Sequence, residues 1–396
     1  MEQSLIAAVS GIQANQTYLD VIGSNIANAN TTAYKSQSAV FTDLLAEQVA
    51  GATAPLPNGA GAGVNPMAIG SGVRVGAVTD NQTQGTLQQT NQPTDVAIQG
   101  QGFLVAKVGG QQLYTRAGQL TIDANGDLTT PTGGIIQGWE AQAGTITNTG
   151  APGAVTIPNN QMMPAQATGN VVLSGNLPPT TSSSTVTFNT YDQLGNVTPV
   201  TLTFVPPQSP GGNWTVNASV NGATATAVGT FTFPANGQNP TPTQLQVTVG
   251  TSTITLNTSA LTQYAGQSSV QAAADGYAAG SLASFSIGSD GVITGAFTNG
   301  ETQPVAQLAL ASFANPGGLA DQGNLMYATS ANSGTPNIGT AGSGGRGTLV
   351  GGALEGSNVD LANQLTDLIV AQEAYQADTK VVSTTSQTLQ ALMSIP

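Results

Sequence analysis

The sequence contains no cysteine and no histidine. Without cysteine it can form no disulfide framework, zinc-thiolate site, thiol nucleophile or iron-sulfur cluster, and without histidine it lacks the commonest general base and metal ligand. Charge is scarce too: 6% of its 396 residues are charged, against about 25% in ordinary soluble proteins. The 6 basic residues face 19 acidic ones, for a net charge of -13. A phosphate backbone requires clustered Lys and Arg, so nucleic acid is not an expected partner. Enzyme chemistry is reduced to a carboxylate-dependent hydrolase, and no catalytic pair stands out. Asp43 and Glu47 could share a helical face, but two solvated carboxylates imply no cleft. No apolar run approaches the roughly 18 to 20 residues of a membrane span. Met1-Glu2-Gln3 and the short apolar run from Leu5 to Val9 do not make a cleaved signal. The expectation is a chain with no cofactor and no metal, not inserted in a membrane, and either cytoplasmic or exported without signal cleavage.

What charge there is lies towards the ends. After Arg116 the next basic residue is Arg346, and between Glu140 and Asp275 the only charged side chain is Asp192. Thr, Asn, Gln and Ser solubilise the centre. Such a surface has little to screen or titrate, which suits an uncontrolled exterior.

The two ends repeat a seven-residue pattern. Leu5, Ile12, Leu19 and Ile26 recur at that spacing, with Val9, Gln16 and Gly23 between them. Near the other end Leu361, Leu368, Tyr375, Val382 and Leu389 do the same, with Leu365, Gln372 and Met393 interleaved. These are heptad seams, expected to pair with each other and with copies of themselves. Gly11 and Gly23 each cost about 1 kcal/mol relative to Ala in a helix, so the helices need partners. Ser357 followed by Asp360 reads as a capping box, which starts the second helix near residue 358, and Pro396 ends it.

From about residue 70 to 345 the period changes to two. Val200, Leu202 and Phe204, or Leu245, Val247 and Val249, alternate as strands with one buried face. Asn125-Gly126, Asn221-Gly222, Asn236-Gly237, Asp290-Gly291 and Asn299-Gly300 are expected to turn hairpins with positive φ at both positions. Residues 51 to 66 form a Gly/Ala/Pro linker. Gly342-Ser343-Gly344-Gly345-Arg346-Gly347 fits a dinucleotide fingerprint but has neither the strand before it nor the acid after it that the motif requires. Asp123 to Asp127 opens like a calcium loop but has Leu128 where that loop needs glycine. A flexible loop and a hairpin turn are the better readings.

Several of these segments resemble the bacterial flagellar axial proteins, the family of rod, hook and hook-associated subunits. AVSGI (8 to 12), LDVIGSNIANAN (19 to 30) and TTAYK (31 to 35) are similar to its N-terminal signature, and GALEGSNVDLANQLTDLIVAQEAYQ (352 to 376) to its C-terminal one. DVAIQGQGF (95 to 103) and YTRAGQLTIDANGDL (114 to 128) resemble its shared β domain. AVTIPNNQMM (154 to 163), YDQLGNVTPVTLTF (191 to 204) and LASFANPGGLADQGN (310 to 324) resemble the hook members in particular, whereas 205 to 270 matches no segment of that kind.

The resemblance implies a mainly β chain with α-helical termini, and two successive antiparallel β domains with the outer one inserted in the inner one. It places a terminal coiled-coil domain at 1-30 and 358-396, a connecting segment at 31-70, an inner β domain at 71-140 and 281-357, and an outer one at 141-280. It implies a structural subunit, not an enzyme, polymerising with copies of itself into a curved hollow tube that passes motor torque to the filament. Rod, hook-cap and hook-filament junction proteins would be neighbours. The flagellar type III export apparatus would deliver the chain to an extracellular hook attached to the basal body. Phe41 and Leu45 resemble that route's aromatic-x-x-x-aliphatic signal, with a helical contact between them as the alternative. Lack of cysteine excludes cysteine-derived crosslinks between subunits. Two other readings stand beside this one: a distal rod subunit, and an extracellular β-sandwich binding module using Trp139 or Trp214 as a sugar platform, although both have equal claims to a core.

Overall fold

The computed structural model describes residues 2–52, 54, 62–157, 162–179, 182–209 and 211–393. Most of the expected linker at 51 to 66, and the expected helix end at Pro396, lie outside these residues. The chain forms two compact units, one of Met1–Pro158, Ser286–Thr294 and Pro304–Pro396, the other of Asn159–Phe285 and Gly295–Gln303. The second unit therefore begins later than residue 141, because residues 153–154 pair with Gln137 and Gly138 and belong to the first.

The first unit holds both helices, α1 (Glu2–Ala27) and α2 (Leu361–Met393). They are antiparallel: Asn15 reaches Asp378 at 3.0 Å while Asn25 reaches Gln364 at 2.9 Å. α2 starts later than residue 358 because Asp360 is itself the N-cap. Its Oδ1 accepts the backbone N–H of Ala362 at 3.0 Å and of Asn363 at 3.2 Å, satisfying donors that the first helical turn leaves free.

The segment 31 to 70 is more than a connection. Strand Gln37–Asp43 pairs antiparallel with Val73–Asp80, with a bulge between Val40 and Phe41, and Glu47–Ala50 pairs with Met67–Ile69. Asp43 and Glu47 thus stand in strands and share no helical face. Beyond this ribbon, a sheet is built on Phe103–Val108, Gln111–Thr115 and Ile135–Gln142. One of its faces carries an aromatic cluster of Phe103, Tyr114, Trp139, Phe313 and Tyr327, with rings edge to face at 4.8 to 5.8 Å. Thr348–Gly351 pairs with Val96–Gln99, and Ala353–Glu355 with Leu87–Gln89, which brings the lead-in to α2 alongside residues 87 to 99.

The second unit is a sandwich of two four-stranded sheets. Ser184–Tyr191, Val197–Val205, Trp214–Val220 and Thr226–Phe231 form an antiparallel meander. The other sheet is ordered Gln244–Val249, Ser252–Thr262, Asn170–Asn176, Gln271–Ala274, with one parallel pairing, between Asn170–Asn176 and Ser252–Thr262. Val171, Leu202, Phe204, Trp214, Phe231 and Leu256 fill a shared core, as alternating inward residues of two facing sheets should. Of the five expected hairpin dipeptides, Asn221-Gly222 has positive φ at both positions, 51° and 73°. At the other four only the glycine does, so those turns use one left-handed residue where two were expected.

Candidate assembly site

Two arrangements in the first unit stand out, the helix pair and a buried ion cluster beneath it. The contact of α1 with α2 includes small and polar residues, Gly11, Asn15 and Asn25. Ala8, Ala14, Val21, Ile22 and Asn25 are buried, as are Ala371 and Thr385 on α2. Gly11 leaves room for Asp378, since a Cβ there would lie 2.5 Å from Asp378 Oδ2. Asn15 donates to that same carboxylate, and Tyr18 has its hydroxyl pushed up by burial and by Asp367.

The heptad residues expected to form the seam lie mainly beside this contact. Leu5, Ile12, Leu19 and Ile26 are half-buried, as are Leu368, Tyr375 and Val382. Val9, Leu361, Leu365 and Leu389 are exposed, and Ile369 and Val370 extend that apolar surface. Apolar periodicity marks large side chains, whereas the contact of these two helices also uses Gly11, Asn15 and Asn25. The tight intrachain contact therefore escaped a pattern reading that the outward stripe satisfied.

The ion cluster joins the three signature segments TTAYK, YTRAG and GALEG. Glu355, with its side chain 0% exposed, accepts from Lys35 Nζ at 2.7 Å and from Arg116 Nε at 3.2 Å. The N–H of Gly85 adds a third bond to Glu355 Oε1 at 2.9 Å. Two cations on one carboxylate leave a surplus positive charge, and backbone carbonyls absorb it: Lys35 donates to Thr83 O at 2.8 Å and Arg116 to Gly100 O at 2.6 Å. The Arg116 guanidinium also lies 5.8 Å from the centre of the Phe103 ring. Burial, and then the neighbouring Arg116, push the Lys35 ammonium below its ordinary value, opposed by Glu355.

Around the cluster, Ala33 N–H donates to Glu355 O at 2.8 Å, Ser36 N–H to Asn358 Oδ1 at 2.7 Å, and Asn358 Nδ2 to Asn81 O at 2.8 Å. The segment leaving α1 and the segment entering α2 are thereby fastened together. These are the only two ion pairs among the described residues. The cluster is a fastening whose carboxylate is shut off from solvent. A hint of it lay in the sequence, since two of the six basic residues sit inside signature segments where a surface charge would have no reason to recur.

The remaining candidates fall as follows. Phe41 lies in a strand with its ring 5.5 Å from that of Tyr18, and Leu45, just past the strand, is 91% exposed, so the helical contact between them is not formed. Trp139 and Trp214 are both buried, with Trp139 Nε1 donating to Gly150 O at 2.8 Å. Trp214 offers no ring to a sugar, and the Trp139 ring is packed into the aromatic cluster. Gly342 to Gly347 precedes a strand, not a helix, and is closed by Arg346 Nε on Thr340 O at 3.0 Å. Asp123 Oδ1 accepts the N–H of Asn125 and of Asp127, which makes that segment a turn.

Comparison with known proteins decides the family. The chain matches the models "Flagella basal body rod protein" over 5–35, "Flagellar hook protein FlgE/F/G D1 domain" over 97–173, "Flagellar basal body protein FlaE D2 domain" over 166–277, and "Flagellar basal body rod FlgEFG protein C-terminal" over 350–395. It is 36% identical to the flagellar hook protein FlgE of Treponema pallidum and 34% identical to that of Borreliella burgdorferi, each alignment spanning 100% of both chains. The chain belongs to the flagellar hook protein family. It is a structural subunit and not an enzyme. The crystal structure of the Helicobacter pylori flagellar hook protein FlgE2 shares the fold, with a TM-score of 0.55 at 14% identity over 66% of this chain and 98% of that one. Hook family membership places the subunit in the bacterial flagellum, and no helix among the described residues is long and apolar enough to cross a membrane.

Proposed function

We propose that copies of this chain polymerise helically into a short, curved, hollow tube that carries motor torque to the filament while bending at each turn. The two helices of the first unit line the channel. The observation that carries the proposal is the apolar stripe of Leu361, Leu365, Ile369 and Val370, exposed on a helix whose opposite face is already engaged. A stripe of this kind on a helix of 33 residues is what neighbouring copies would cover. The rod, the hook cap, the junction proteins and the type III export apparatus are the expected neighbours. Phe41 and Leu45, both exposed, suit an export signal. Normal secretion of Phe41→Ala would remove that role.

The assembly test is electron microscopy of the full-length chain beside Leu365→Glu and Ile369→Glu. Both side chains are exposed in the single subunit, so the variants should keep the parent's circular dichroism and melting temperature. Curved tubes from the parent and none from the variants are expected. Straight tubes would instead favour a rod subunit, and normal tubes from both variants would contradict the stripe.

A further inference from the structure

Lys35 and Arg116 are consumed by Glu355, which leaves four basic side chains for the whole acidic surface. Two of these, Lys107 and Arg346, line one groove of about 790 Å³ with Gln112, Gln137 and Trp139, and no carboxylate lines it. Lys107 is exposed and forms no ion pair among the described residues, and Arg346 is half-buried with its guanidinium bonded to neutral oxygens of Asn337, Thr340 and Ser343. The groove is therefore a cationic hollow in a chain of net charge -13.

The strand Ile135–Gln142 fixes where its counterpart lies. Lys107 is registered opposite Ile135 and opposite Gln112, so Lys107, Gln112, Gln137 and Trp139 share one face of the sheet. Glu140, one residue beyond Trp139, points to the other face, where it bonds Thr156, the residue bridged to Asp127. Asp123, Asp127 and Glu140 gather there. Burial, then Asp123 and Glu140, raise the Asp127 carboxyl. Among the described residues none of these three acids has a cationic partner.

We propose that the groove at Lys107 and Arg346 receives the Asp123, Asp127 and Glu140 cluster of a second copy. Cationic and anionic patches on opposite faces of one strand cannot satisfy each other within a chain, but they satisfy each other between copies stacked face to back. Such a contact is heterologous, and one that does not close into a ring propagates as a helix of subunits. It rests on the polymer reading above and adds a second contact to it, polar where the helical stripe is apolar. It also gives the contact a direction, since each copy offers a groove one way and an acidic cluster the other.

The test uses the full-length chain, mixed from isotopically light and heavy preparations, treated with a zero-length carbodiimide crosslinker and read by mass spectrometry. A light-to-heavy amide between Lys107 and Glu140, Asp127 or Asp123 is expected, and it should weaken as salt is raised. Lys107→Glu should raise the critical concentration for assembly about tenfold, a change within the range of charge reversal across an interface, with the monomer's melting temperature unchanged. Glu140→Lys should do the same alone, and a one-to-one mixture of the two variants should assemble, because every contact in an alternating polymer is again between opposite charges. Tubes without the crosslink, or Lys107→Glu assembling like the parent, would overturn the contact while leaving the polymer intact. The crosslink without tubes would uphold the contact and count against the tube, and neither crosslink nor tubes would overturn both. If the variant mixture is not rescued, the groove has a different occupant and the proposal fails.

Discussion

At the scale of single residues, stability concentrates where charge is hidden. Removing Glu355 leaves two buried cations with no carboxylate, and breaking a buried pair in this way costs about 3 to 5 kcal/mol. Glu355→Gln should therefore lower the denaturant midpoint sharply, whereas Glu301→Gln, on an exposed side chain, should leave it within about 0.5 kcal/mol. Gly118 is constrained by space, since a Cβ there would lie 1.5 Å from Val96 O, a backbone atom that cannot step aside. Gly118→Ala should cost about 1 to 3 kcal/mol, as overpacking does. The phenols of Tyr18, Tyr114 and Tyr327 are held above their ordinary 10.0, in each case first by burial. Above about pH 10 an unfolded chain releases these protons while the folded chain keeps them. The folded state then binds more protons, and stability falls as pH rises through that region. Replacing these three tyrosines with Phe, singly, should therefore move the alkaline loss of circular dichroism to higher pH.

At the scale of elements, the sequence disclosed type and order better than contact. Periods of seven and two located the helices and the β region because both report which side chains are apolar. They could not disclose that α1 meets α2 through Gly11, Asn15 and Asn25, because small and polar side chains carry no periodic apolar signal. Nor could they reveal the Lys35–Glu355 pair, whose members lie 320 residues apart. The ribbon of Gln37–Asp43 and Val73–Asp80 was hidden for a related reason. Only Gln37, Ala39 and Thr42 on its first strand are half-buried and the rest is exposed, so it lacks the clean alternation of a strand over a core. The capping residue was misplaced by three positions since Ser357 and Asp360 are both competent caps, and only geometry selects between them. Replacing Asp360 with Ala should destabilise the start of α2 by about 1 kcal/mol, visible as faster amide exchange in residues 361 to 365.

At the scale of the whole molecule, charge is partitioned. The stretch Asn159–Phe285 carries only Asp192 and Asp275, so contacts it makes with neighbours have little ionic content and many near-equal registers. Contacts of the first unit, with its groove and its acids, have few. A tube built this way would bend by shifts of the uncharged surfaces, and adding three or four Lys/Glu pairs to the exposed face of Ser184–Tyr191 and Val197–Val205 should stiffen or straighten it. Unchanged curvature in electron micrographs would contradict that mechanism.

The buried ion cluster bears on time as well as on strength. A chain delivered amino end first, by a ribosome or through a channel, presents Lys35 and Arg116 hundreds of residues before Glu355, and α1 long before its partner helix. Until Glu355 arrives, the place where three segments are fastened holds two cations and no anion. Closure of this junction therefore waits for Glu355, which makes the junction a test of how far the chain has emerged. A chain ending at residue 350 should retain a folded sandwich in its second unit, yet remain open to proteolysis between residues 27 and 37 where the full-length protein is protected.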